Sequence, residues 1–201
     1  IPYNFYNGAL KIDESLTKAH QESNQNLERF SIYLENLQTD NGKLVSFDIE
    51  KLKKDIEKGL YFDSSIPQGY GVGSSGALVA AIYDKYTSEK ITVLENLTRD
   101  KLLKLKAIFS IMESFFHGKS SGLDPLNSYL SLPILINSKD HIEPAGIPSQ
   151  LRDGKGAIFL LDSGKTGETA PMVQLFMEKM KEEGFRKMVK NQFVKHTDAC
   201  V

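Results

Sequence analysis

Two short stretches of this chain carry residues whose types and spacing could do chemistry. The first is Ile66-Pro67-Gln68-Gly69-Tyr70-Gly71-Val72-Gly73-Ser74-Ser75-Gly76, which runs straight into the apolar segment from Ala77 to Tyr83. Glycines at alternate positions let the backbone adopt positive φ and approach a ligand without Cβ obstruction, and a helix starting there leaves unpaired N–H groups. Such a loop is an anion site, and phosphate is the usual anion. A P-loop would need Gly-Lys-Ser/Thr at its end, but Gly73 is followed by Ser74 and Ser75, which excludes it. Gly71, Gly73 and Gly76 satisfy the three-glycine dinucleotide pattern, yet Leu60 to Ser65 reads as a poor buried parallel strand and Pro67 would sit inside the tight turn. Read alone, the loop could simply cap a helix.

The second stretch runs from Glu113 to Asp124 and reads Glu-Ser-Phe-Phe-His-Gly-Lys-Ser-Ser-Gly-Leu-Asp. Glu113 falls on a predicted helix, and Asp124 lies beyond a loop punctuated by Gly118 and Gly122. Phosphoryl transfer to a hydroxyl divides labour in this way: one carboxylate holds Mg²⁺ against the phosphates, and another orients or deprotonates the attacking hydroxyl. Each residue also has a plainer reading. His117 near a helix end would interact with the last carbonyls and the dipole, and Asp124-Pro125 in isolation is turn chemistry.

The elements that must position these residues follow from periodicity. Ile49, Leu52, Ile56 and Leu60 fall at helical spacing, with lysines on the other faces, so a short amphipathic helix leads toward the glycine loop. The helix starting near Ser75 is apolar all round until Asp84-Lys85 and is expected to be buried. A long helix is predicted from an N-cap at Thr98 through Phe116, ended by Gly118, and it places Glu113 amid apolar surface where a carboxylate needs a partner or a cation. Nearer the start, a hairpin turning at Asn7-Gly8 is expected, then a loop over Lys18 to Asn26 and a strand over Arg29 to Leu34. Leu130 to Ile136 and Ala157 to Asp162 read as buried strands. Gly164-Lys165-Thr166 fails as a P-loop because Phe159 stands where the first glycine would have to be. From about Pro171 the chain is expected to be helical, with Val173, Phe176, Met177 and Met180 as a core stripe.

Composition excludes several function classes. With 201 residues, 40% hydrophobic and 25% charged, the chain can bury a sizeable core. Its 25 Lys and Arg against 26 Asp and Glu leave a net charge of -1, so no global field attracts nucleic acid or an anionic membrane. Any anion must be captured locally. The single Cys200 rules out an internal disulfide framework and fits a reducing compartment, and no apolar run approaches the roughly 18 residues of a membrane span. The expected location is the cytoplasm. Both chain ends read as cropped.

Proline, alternating glycines and paired serines opening a buried helix resemble the ATP loop of the GHMP kinases, the superfamily named for galactokinase, homoserine kinase, mevalonate kinase and phosphomevalonate kinase. The resemblance implies that Pro67, Gly69, Gly71, Gly73, Ser74, Ser75 and Gly76 hold the ATP phosphates and that Ser75 ligates Mg²⁺. Glu, then His-Gly, then Ser-Gly-x-Asp resembles the mevalonate kinases in particular. It implies Glu113 as a second Mg²⁺ ligand and Asp124 as the catalytic base. Lys119 and Ser120 stand where His-Gly-x-Pro is more usual, and Pro125 follows the aspartate where asparagine is common. The implied fold is α+β: a ribosomal protein S5 domain 2-like ATP-binding domain over 1–150 and the beginning of a second α+β domain over 151–201. The implied partner is a small-molecule substrate, mevalonate or a related alcohol, and the family allows a homodimer. Alternatives are another GHMP enzyme (a sugar kinase, phosphomevalonate kinase or diphosphomevalonate decarboxylase) or a catalytically silent ligand-sensing relative.

Overall fold

The computed structural model describes residues 8–41, 44–66, 70–92, 97–138, 141–144, 164–165, 167 and 169–200. It divides into two compact units, one of residues 1–67 and 72–159 and the other of 68–71 and 160–201. The first is mixed helix and strand. β1 (Gly8–Ile12) pairs antiparallel with β2 (Leu60–Ser64), Ile12 opposite Leu60 and Gly8 opposite Ser64. The strand expected after Gly8 therefore exists, while Asn7 and the residues before it lie outside the described residues. β2 is a strand after all, but an antiparallel one, so it gives no support to a dinucleotide βαβ unit.

Between the two strands runs α1 (Lys18–Asn41), and here the expectations of a loop and then a strand are overturned. Leu27, Phe30, Ser31 and Leu34 are buried, the i, i+3, i+4, i+7 spacing of one helix face, while Ile32, which a strand would place beside Phe30 and Leu34, is 51% exposed. The stretch from Lys18 to Asn26 looked like a loop because its inward face is polar. Asn24 Nδ2 donates to the carbonyls of Ile56 (3.0 Å) and Leu60 (2.7 Å), and Ser23 Oγ accepts from Phe62 N (2.9 Å). These side chains satisfy backbone groups of the neighbouring helix end and strand, so polarity there is compatible with packing. Thr17 starts the helix, its Oγ1 accepting from His20 N.

α2 (Ile49–Glu57) follows the predicted amphipathic pattern at Ile49, Leu52 and Ile56, with Asp48 Oδ1 capping Lys51 N at 3.0 Å, but it ends before Leu60, which instead opens β2. α3 (Ser74–Tyr86) buries Val79, Ala80, Ile82, Tyr83 and Tyr86. α4 (Arg99–His117) has the expected ends: Thr98 Oγ1 accepts from Lys101 N, and Gly118 at φ 70° closes the last turn with its N–H on Ser114 O at 2.8 Å. α5 (Leu123–Leu130) packs against both α3 and α4. Three rings join these helices, Tyr83, Phe109 and Tyr129, with centroids 5.0 to 5.6 Å apart in edge-on arrangements. The two tyrosines also pin the chain after α3, Tyr83 Oη accepting from Ile91 N and Tyr129 Oη donating to Ile91 O. Burial pushes the Tyr129 phenol up to about 12, so it remains a neutral donor.

The run from Leu130 to Ile136 is not one buried strand. Leu130 ends α5, Ser131 turns at φ 52°, and Pro133 precedes β3 (Ile134–Ser138), which pairs antiparallel with β4 (His141–Pro144). The strand is only half-buried at Ile134 and Leu135, and Ile136 is exposed. The strand expected at Ala157 to Asp162 lies outside the described residues. In the second unit, α6 (Thr169–Lys179), α7 (Glu183–Met188), a π-helical segment (Val189–Val194) and α8 (Lys195–Cys200) follow one another. The apolar stripe of α6 is not a core: Val173, Phe176 and Met177 are exposed, as are Met172 and Leu175. Phe176 meets the Phe185 ring at 5.9 Å, which leaves most of a helix that is apolar on adjacent faces uncovered. Among the described residues, no helix is long and apolar enough to cross a membrane.

Candidate active site

Two helix N-termini meet in the first unit. Gly73 caps α3 in the left-handed conformation (φ 76°, ψ 33°), and Gly122 caps α5 in the same region (φ 73°, ψ 8°). Neither cap places a side chain on the first-turn amides. Among the described residues no side chain caps the first-turn amides of α3, a condition that an anion site at this terminus requires. Gly76 brings the two helices together: a Cβ there would lie 2.8 Å from both Asp124 C and Pro125 N. A Cβ at Gly73 would stand 3.8 Å from Asp124 Cβ and 4.0 Å from its carboxyl carbon. Asp124, in the first turn of α5, thus lies directly against the glycine loop. It is exposed and makes no ion pair among the described residues. Pro125 occupies the first helical turn, where its missing N–H costs nothing, so Asp-Pro here opens a helix and does not simply make a turn.

α4 supplies the remaining groups. Glu113 is 3% exposed, and its partners among the described residues are hydroxyls: Ser75 Oγ donates to Oε1 at 3.2 Å, and Ser120 Oγ donates to Oε2. One helical turn on, His117 Nε2 lies 2.9 Å from Ser75 Oγ. The sequence reading gave His117 a helix-end role and missed this contact, although Glu113 and His117 are four apart and so share a face. Ser75 is flanked by carboxylate and imidazole together. A nucleophilic triad would instead line up as acid on imidazole and imidazole on serine.

The Ser75–Glu113 pair fits Mg²⁺. Octahedral coordination at about 2.0–2.1 Å puts adjacent ligand oxygens about 2.9 Å apart, close to the observed spacing of hydroxyl and carboxylate. A buried carboxylate partnered, among the described residues, by hydroxyls and by no cationic side chain is also a suitable ligand for a cation. Among the described residues no cluster of three His, Cys, Asp or Glu could cage a metal. Mg²⁺ rarely needs one, because one or two protein ligands, waters and substrate phosphates complete its shell.

Of the residues expected to form the site, Gly73, Ser75, Gly76, Glu113 and Asp124 come together within the first unit, and Ser74 begins α3 beside them. Gly71 adopts φ 69°, and Pro67 and Gly69 lie outside the described residues. Residues 33–131, which carry all of α2 to α5, match the family model of the GHMP kinases N terminal domain. Over these residues the chain is similar to that domain. No curated protein and no solved structure matches the chain significantly.

Proposed function

We propose that the protein is an ATP- and Mg²⁺-dependent kinase of the mevalonate kinase type, transferring the γ-phosphoryl group to a primary hydroxyl of a small alcohol. The carrying observation is the seating of the Asp124 carboxyl against Gly73, at the helix terminus beside which Ser75 meets buried Glu113. In this reading residues 1–150 form the ATP-binding domain with the S5-like fold, and 151–201 open the second domain. The first-turn amides of α3 at Ser74, Ser75 and Gly76 hold the phosphates, with Pro67, Gly69 and Gly71 completing the loop. Ser75 and Glu113 would hold Mg²⁺, which when bound neutralises charge on the transferring group. Asp124 orients the acceptor hydroxyl and takes its proton. The site is cytoplasmic in this reading, its partner a small molecule and not a nucleic acid.

The departures at Lys119, Ser120 and Pro125 favour testing related acceptors beside mevalonate. ATP consumption measured over mevalonate, phosphomevalonate, homoserine and hexoses should single out one acceptor class. Nucleotide binding without turnover of any of them would favour the silent sensing reading instead. Glu113→Gln is expected to raise the Mg²⁺ concentration for half-maximal rate about 10- to 100-fold and to lower turnover. An unaltered Mg²⁺ titration would leave Glu113 as a structural acceptor for two serine hydroxyls.

A further inference from the structure

Ser120 is tied into the site at every polar atom it owns. Its N–H donates to Ser114 Oγ (3.3 Å), and its carbonyl accepts from Ser110 Oγ (2.5 Å), both from α4. Ser114 Oγ in turn donates to Ser110 O at 2.7 Å. The Ser120 hydroxyl donates a hydrogen bond to Glu113 Oε2 and accepts one from Gly122 N at 3.0 Å. One hydroxyl therefore joins the buried carboxylate to the residue that caps α5, the helix carrying Asp124. The terminal torsion of a glutamate is broad and roughly two-fold, so nothing intrinsic to Glu113 decides which way its carboxylate plane faces. Fixing Oε2 on Ser120 leaves Oε1 directed at Ser75.

We propose that Ser120 is a positioning residue for Mg²⁺ binding: it orients the Glu113 carboxylate toward Ser75 and locks that orientation to the start of α5. The inference rests on the reading of Ser75 and Glu113 as metal ligands. A hydroxyl donating to the outer oxygen of a metal-binding carboxylate typically affects metal affinity about 10- to 100-fold.

The test is calorimetric binding of ADP to the whole protein, with Mg²⁺ and with EDTA, for wild type, Ser120→Ala, Ser120→Thr and Glu113→Gln. Ser120→Ala should lose about 10- to 100-fold of the Mg²⁺-dependent affinity and leave the affinity in EDTA near wild type, and Ser120→Thr should restore most of the loss. Ser120→Cys, nearly isosteric but a weak donor, should fall in the same direction and serves where the alanine variant folds poorly. An unchanged Mg²⁺-dependent affinity in Ser120→Ala, with Glu113→Gln impaired, would overturn the role of Ser120 alone. Equal losses with and without Mg²⁺, or failure of both variants to fold, would assign the hydroxyl to stability and also overturn it. A wild-type affinity indifferent to Mg²⁺ would bring down the underlying metal reading.

Discussion

Asp124→Asn is expected to lower kcat by about 10²–10⁴-fold with little change in the Michaelis constant for ATP. Asparagine keeps the shape of the side chain and cannot take a proton, so only interactions that develop as the acceptor hydroxyl reacts are lost. The structure makes the variant a clean one. Asp124 is exposed, has no ion-pair partner among the described residues and lies near Gly73 through its Cβ and carboxyl carbon, contacts that asparagine preserves. The melting temperature should therefore hardly move. Steady-state kinetics on the accepted substrate, with a melt on the same sample, checks both halves. Turnover at the wild-type rate would remove Asp124 from the chemistry, and a large drop in melting temperature would return it to the role of a helix-opening residue.

Gly122→Ala should be the most destabilising small substitution near the site. Gly122 sits at φ 73°, where an L-residue costs about 1–2 kcal/mol. The added Cβ would also overlap Lys106 O and stand 2.5 Å from Ser110 N, both backbone atoms of α4 that cannot move independently of the helix. Overpacking of that kind costs typically about 1–3 kcal/mol more. For a chain of this size the sum corresponds to a fall in melting temperature of roughly 5–15 °C. Gly118→Ala is the control, since Gly118 also has positive φ (70°) but a Cβ there would meet nothing within 4 Å among the described residues. It should pay the backbone cost alone, about 1–2 kcal/mol. Equal melting of the two variants would mean that α4 and the start of α5 do not approach as closely as the structure has them. Because Gly122 N also bonds the Ser120 hydroxyl, Gly122→Ala should depress turnover beyond what its stability loss explains.

The amino-acid sequence by itself determined the local features: where α4 begins and ends, the amphipathic face of α2, and the left-handed glycine that opens α3. Each depends on groups within a few residues of one another, such as the Thr98 hydroxyl on Lys101 N or Gly118 N on Ser114 O, and such groups meet whatever the rest of the chain does. The candidate site stood out for the same reason, as two stretches whose residue types and spacing suit the phosphate loop and carboxylate pair proposed above.

The tertiary structure decided what depends on a distant partner. The inward face of α1 reads as polar until Ser23 and Asn24 are seen bonding backbone groups of Phe62, Ile56 and Leu60. The apolar run of α6 reads as core, yet the described part of its unit supplies too little to cover it. Glu113 could be recognised as a carboxylate in need of partners, but that those partners would be Ser75 and Ser120 depends on how α3 and the loop after α4 pack. A hydrogen bond needs about 3 Å between its atoms, and for residues far apart in the chain only the packing of helices, here allowed by the missing Cβ atoms of Gly76 and Gly122, brings them that close.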